Sequence, residues 1–170
     1  MQNKLNVKKT VLCAMFIALS VIGAFIKPFG NSIAFDSMPA FLAASMMGPV
    51  FGAVVGLMGH VISASISGFP LSLGIHAIIA VEMALVMLVY GFLCKKIGVI
   101  FSAVIAVILN GVAATAVFIF IPGMGMPFFL AMVGPLTLVS AVNAALAVAV
   151  HFALGKAGVK ISDNSQAKAK

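Results

Sequence analysis

From Ile97 to Gly155 the chain carries no Asp, Glu, Lys or Arg, and only Pro122-Gly-Met-Gly-Met-Pro127 interrupts the apolar run. A bilayer accepts a helix of about 20 apolar residues, so this stretch is expected to fold as two membrane helices joined at the proline-glycine break. The rest of the sequence obeys the same constraint. Hydrophobic residues fill 64% of the 170 positions and charged residues 8%, with a mean hydropathy of +1.28, outside the mix of soluble domains. That length accommodates about six helices of about 20 residues each. The expected fold class is therefore an all-α integral membrane protein with six transmembrane helices and both the N and C termini cytoplasmic.

The lysines set the orientation. Lys4, Lys8 and Lys9 precede the first apolar run, Lys95 and Lys96 interrupt the middle, and Lys156, Lys160, Lys168 and Lys170 follow the last. In a six-span chain these nine lysines share one side and only Lys27 lies on the other, which is the positive-inside pattern. A five-span chain with a re-entrant second helix would push Lys95 and Lys96, or the C-terminal group, outside. The net charge of +7 has no arginine in it and no basic face, so nucleic acid is not an expected partner. The chain is read as a multi-pass protein of the cell membrane. Residues 1–156 form the six-helix substrate-binding domain and residues 157–170 a polar cytoplasmic tail. The run from Thr10 to Ile26 follows a basic stretch, but its weak small-residue cleavage pattern makes it an anchor and not a signal peptide. Cys13 and Cys94 have no His or Asp at metal-ligand spacing and are expected to be free thiols.

Helix 1 covers residues 10–26 and stops at Lys27-Pro28. Helix 2 runs from about Ser37 to Met47, ending at Gly48-Pro49. Extended back to Ile33 it reaches about 22 Å, short for a span, so it is expected to lean on its neighbours or begin in the interface. Helix 3 runs from about Pro49 to Ser67, with Ala53, Gly56, His60, Ser63 and Ser67 in one stripe that should face the bundle. Helix 4 runs from about Ser72 to Cys94. Helices 5 and 6 flank the Pro122–Pro127 break. Helix 5 carries a stripe of Ala103, Ala106, Asn110 and Ala114, and helix 6 one of Ser140, Asn143, Ala147 and His151.

Ionisable residues inside membrane-grade sequence cost about 2.5 to 3.5 kcal/mol on insertion scales and mark function by default. Glu82 is the only acid between Ser37 and Cys94. His60 precedes Ser67 by seven residues and Glu82 follows Leu73 by nine, so on antiparallel helices both sit roughly 10 to 14 Å below the outer surface. At equal depth they can touch, and a ligand or His60 would supply the partner that the carboxylate needs. His76 is nearer the mouth, Asn110 slightly deeper, and Asn143 deeper again. The candidate substrate-binding residues are Glu82, His60, His76, Asp36, Asn110 and Asn143; for the asparagines, helix–helix hydrogen bonding stands beside ligand contact. His151, near the inner face, is read as structural. No G-x-x-x-x-G-K-[ST] loop, G-x-S-x-G elbow or H-E-x-x-H pair is present, so no catalytic residue, cofactor or metal is expected. Energy for transport would come from a partner or a gradient.

Three features together resemble a known family. They are the small-residue pair of Ala14-Met-Phe-Ile-Ala18, the long first outer loop, and Pro39-Ala-Phe-Leu-Ala leading into Met47-Gly-Pro-Val-Phe-Gly-Ala-Val-Val-Gly56. The chain is similar to the substrate-binding S-components of energy-coupling factor (ECF) vitamin transporters over residues 5–156. The resemblance implies a subunit that binds a vitamin or related micronutrient from outside. It also implies docking, through Ala14 and Ala18, on a shared ECF transmembrane coupling protein driven by two ATPase subunits. Within the family, Phe35-Asp-Ser-Met-Pro-Ala40, Gly59-His-Val-Ile-Ser-Ala64, Gly68-Phe-Pro-Leu71, His76 and Ala80-Val-Glu-Met-Ala84 look most similar to the branch associated with alpha-ribazole, the nucleoside of the cobalamin lower ligand. S-components for pantothenate and other vitamins share the frame. The chain departs from an aromatic-rich site in having no tryptophan and one tyrosine, Tyr90, which leaves phenylalanines to stack on a ligand. The alternative from another class is a solitary proton- or cation-coupled carrier with Glu82 and His60 as its relay. A membrane enzyme is disfavoured by the lack of a catalytic motif.

Overall fold

The computed structural model describes residues 7–29 and 33–159, and among them there are six helices and no strand. They are α1 (Val7–Gly23), α2 (Met38–Met47), α3 (Pro49–Ile66), α4 (Leu73–Ile97), α5 (Val99–Phe120) and α6 (Gly125–Lys156). The helices α3 to α6 are each long and apolar enough to cross a bilayer. Lys4, Lys160, Lys168, Lys170 and the tail beyond residue 159 lie outside the described residues.

The exceptional element is α2. Its 10 residues rise only about 15 Å, shorter than the 15-residue helix expected from Ile33. Eight of the ten are buried, from Pro39 to Ala44 together with Met46 and Met47. A helix apolar all round belongs in the middle of a bundle, and α2 packs against α1, α3, α4 and α6. Phe41 meets the Tyr90 ring of α4 edge-on at 5.1 Å. Close approach to α3 depends on Gly52, where a Cβ would collide with Ala44. The junction of the two helices is Gly48, at φ 111°, followed by Pro49 in the first turn of α3, where a missing N–H costs nothing.

The other helices turn small and polar residues inward and large apolar ones outward. Gly56 and Ser63 of α3, Ala103 and Ala106 of α5, and Ser140, Asn143 and Ala147 of α6 are buried. Val81, Leu85 and Val89 of α4, Phe101 and Val104 of α5, and Leu130, Leu138 and Leu146 of α6 face outward. This arrangement suits lipid, where helices associate through close packing and not by hiding apolar surface.

Helix α1 begins three residues earlier than expected, at Val7, and α4 runs on through Lys95 and Lys96 to Ile97; two further boundaries differ for a local reason. Helix α1 stops at Gly23 and not at residue 26, because the chain doubles back and Phe35 N–H donates to the Ile26 carbonyl at 3.1 Å. Helix α6 starts at Gly125, so Pro127 sits in its first turn, where no intrahelical N–H is needed.

The two ends of the bundle are chemically distinct. Pro49 lies beside Gly91 of α4, and His151 of α6 is 3.0 Å from the Ser45 hydroxyl of α2, so Lys95, Lys96 and Lys156 share an end. Lys8 and Lys9 open α1 at that same end. At the opposite end Lys27 donates to Ser67 Oγ at 2.8 Å. In a Cys-free background, single cysteines at Lys27, Phe69 and Gly125 are expected to react with an impermeant reagent from outside cells. Labelling of a cysteine at Lys96 from outside would invert this orientation.

Candidate functional site

The cavity lies above the start of α2. It is partly open to the outside and is lined by 18 of the described residues, from the loop before α2, from α3 to α6, and from the α3–α4 turn. None of the lining comes from α1. Ile33, Ala34, Asp36 and Ser37 enter from the loop and His60 from α3. Ile79, Glu82 and Met83 come from α4, Asn110, Ala114, Thr115 and Phe118 from α5, and Phe128, Met132, Leu136, Val139 and Ser140 from α6.

Glu82 faces this cavity with its Oε1 buried and without a hydrogen-bond partner. Its expected pairing with His60 is not formed. Equal depth fixes the height of two side chains but not their direction around the helix, and His60 points elsewhere. Its Nε2 lies 3.1 Å from His76 Nδ1 and its Nδ1 3.6 Å from Asp36 Oδ2. Leu71 N–H lies 3.5 Å from His76 Nε2, the outer limit of a hydrogen bond, and which ring nitrogens donate depends on the tautomers of the two histidines. The chain Leu71, His76, His60, Asp36 ties the α3–α4 turn and the first outer loop to α3. His76 is buried behind His60, with Phe69 packed on its ring at 5.8 Å, and reaches the main cavity only through His60.

Asn110 lines the cavity from a π-helical turn, Leu109–Ala113, within α5. Such turns insert a residue into the helix and re-aim its side chains. Here Asn110 Nδ2 donates to Ser140 Oγ at 3.1 Å, and Thr115 Oγ1 donates to the Gly111 carbonyl at 2.7 Å. Gly111 allows α5 to press on Thr137 of α6, where any Cβ would clash. Phe118 and Phe128 stand 5.4 Å apart at the cavity wall, on either side of the Pro122–Pro127 segment.

Asn143 does not line the cavity. It is fully buried beneath, accepting from Met38 N–H at 2.9 Å and donating to the Val139 carbonyl at 3.0 Å. The first N–H groups of a helix lack intrahelical partners, and Ser37 makes no side-chain cap. Asn143 supplies the missing acceptor from α6. Pro39 has no N–H, and Ala40 and Phe41 both donate to the Ser37 carbonyl, so the start of α2 is fully satisfied. His151 is also structural, paired with Ser45. The sequence reading missed Thr115, Phe118, Phe128 and Met132 as cavity residues. The two phenylalanines were detectable as an aromatic pair flanking one turn.

Among the described residues no cluster of His, Cys, Asp and Glu suits a metal ion, and Cys13 and Cys94 are free thiols. The bundle therefore defines a polytopic membrane protein with a small-molecule cavity near one face. A family described as the substrate-specific component of ECF transporters matches residues 8–155, and the chain belongs to that family. It is a multi-pass transporter subunit and not an enzyme; such components bind a substrate and pair with an ECF module. Comparison with curated proteins and with solved structures gave no match.

Replacing the remote cap tests its role. Asn143→Ala is expected to destabilise the detergent-solubilised protein by about 1–3 kcal/mol, the penalty for an unpaired buried donor. A melting curve unchanged from wild type would show that Met38 N–H does not depend on Asn143.

Proposed function

We propose that the chain binds a vitamin-like micronutrient from the outer face in the Glu82 cavity and delivers it to an ECF coupling protein and its two ATPases. The substrate assigned to it is alpha-ribazole. The observation that carries this reading is Glu82 Oε1, a buried acceptor without a partner in the wall of a cavity. A structural carboxylate at that depth would be hydrogen-bonded, whereas a binding carboxylate awaits its ligand. Phe118 and Phe128 offer an apolar wall for a bicyclic base, and Glu82, Asn110 and Asp36 in the same lining offer polar partners for hydroxyl groups. His60 lines the same space, with His76 3.1 Å behind it. Residues 1–156 form the substrate-binding domain and 157–170 a cytoplasmic tail.

Docking falls to α1. Ala14 and Ala18 are exposed, on the face turned away from Cys13, Phe16 and Ser20. Two alanines at this spacing let a partner helix approach closely.

Calorimetry with alpha-ribazole on purified protein tests the site. Losing a charge-assisted hydrogen bond costs about 1.5–3 kcal/mol, so Glu82→Gln is expected to weaken binding about 10- to 150-fold. The ligand-free variant should melt no lower than wild type, because no native hydrogen bond to Oε1 is lost. Wild-type affinity in a folded variant would remove Glu82 from the site.

A separate measurement addresses docking. Ala14→Trp or Ala18→Trp is expected to abolish uptake by the complete transporter while leaving ligand affinity within about twofold, a change of about 0.4 kcal/mol. An equal loss of affinity would make the pair internal packing. Uphill uptake by the reconstituted chain alone would favour the solitary carrier.

A further inference from the structure

Hydrogen-bonding capacity around the cavity is lopsided. Its ionisable lining consists of Asp36, Glu82 and His60, with no lysine among the 18 residues. His60 Nε2 lies 3.1 Å from His76 Nδ1, and its Nδ1 lies 3.6 Å from Asp36 Oδ2, so both ring nitrogens already have a neighbour within the fold. Lys27 belongs to a smaller recess on the far side of the Asp36 and His60 pair, where its Nζ donates to Ser67 Oγ.

Two of the neutral donors in the lining are engaged within the fold. Asn110 Nδ2 donates to Ser140, and Thr115 Oγ1 donates to the Gly111 carbonyl. The start of α2, which would otherwise be a natural anion site beneath the cavity, has its N–H groups occupied by Asn143 and the Ser37 carbonyl. Among the described lining residues, Glu82 Oε1 is the side-chain oxygen that is fully buried without a partner.

Taking the cavity as the substrate site, we infer that it selects a ligand with no carboxylate or phosphate, one that presents an N–H, ammonium or hydroxyl donor to Glu82. An anionic group in this space would face Asp36 and Glu82, with no lysine among the described lining residues to receive it. Like charges brought together in a desolvated site are strongly disfavoured. A cationic or neutral donor meets the opposite situation, since it gives Glu82 Oε1 the partner that it lacks. Charge, more than shape, thus divides the vitamin-like compounds that fit by size.

Matched pairs differing by one anionic group test this inference. The purified full chain in detergent is titrated with alpha-ribazole and its 5′-phosphate, thiamin and thiamin monophosphate, pyridoxine and its 5′-phosphate, and pantothenol and pantothenate. Glu82→Gln and the cavity-filling Ala114→Leu are titrated alongside. The expected result is binding by the non-anionic member of at least one pair, with its anionic counterpart at least about 10-fold weaker. In Glu82→Gln that gap should narrow, because one of the two acidic groups of the lining is gone. Equal or tighter binding of the anionic member, still sensitive to Ala114→Leu, would overturn the charge selection and leave the cavity as the site. Binding insensitive to both variants, or no binding across the panel, would overturn the cavity as the substrate site itself.

Discussion

A short helix in the middle of a membrane bundle has to satisfy its own end groups without water, and the arrangement of this protein follows from that requirement. α2 is apolar on every side and too short to span. Its start therefore lies inside the bundle, where an unsatisfied N–H costs several kcal/mol by order of magnitude. Met38 N–H finds Asn143 Oδ1, which fixes α6 against α2. Depth that α2 does not fill is left to the cavity, whose lower wall is formed by Ser37, Val139 and Ser140. The binding space and the polar cap beneath it are two consequences of one truncated helix.

Around that space the polar groups divide into those that hold the fold and one that does not. Asp36 is bound into a chain with His60 and His76, and this chain anchors two outer segments that have little secondary structure of their own. The Asn110 amide and the Ser140 hydroxyl link α5 to α6 across the π turn. Glu82 alone has an oxygen buried without a partner in the lining. Structures keep such unsatisfied groups at functional sites, where stability is given up for binding.

Much of this was legible in the residues, for a physical reason. Lipid makes small and polar side chains conspicuous, so the stripe from Ala53 to Ser67 on α3 and the stripes on α5 and α6 marked the inward faces directly. Glu82 stood out because no other acid lies near it in sequence. What stayed hidden depended on direction and on distant partners. Asn143 caps a helix that begins 105 residues earlier, and nothing local in α6 signals this. The preference of His60 for Asp36 over Glu82 depends on how the first outer loop returns across α1, which helical depth does not encode. The π turn changes the facing of Asn110 without a proline, and Gly111 beside it is one of many glycines in the chain. The small-residue stripes thus located the inner surface, while the ownership of each hydrogen bond was decided by tertiary contacts.

The proposed substrate cavity and the proposed docking face lie on separate parts of this bundle. Cavity lining comes from the first outer loop, α3 to α6 and the α3–α4 turn, and none comes from α1. That separation leaves Ala14 and Ala18 free to serve a partner without touching the ligand. α1 is nevertheless not independent of the site. Beyond Gly23 the chain leads into the segment that carries Ile33, Ala34 and Asp36 to the cavity wall, and Phe35 is hydrogen-bonded back to Ile26. Lys27 adds a second tie from the end of α1 to Ser67 at the end of α3. Ordering of the cavity wall by a ligand therefore acts on a segment covalently continuous with the proposed docking helix. A subunit that lacks its own energy source needs that continuity, because its partner has to distinguish the loaded bundle from the empty one through differential contacts alone.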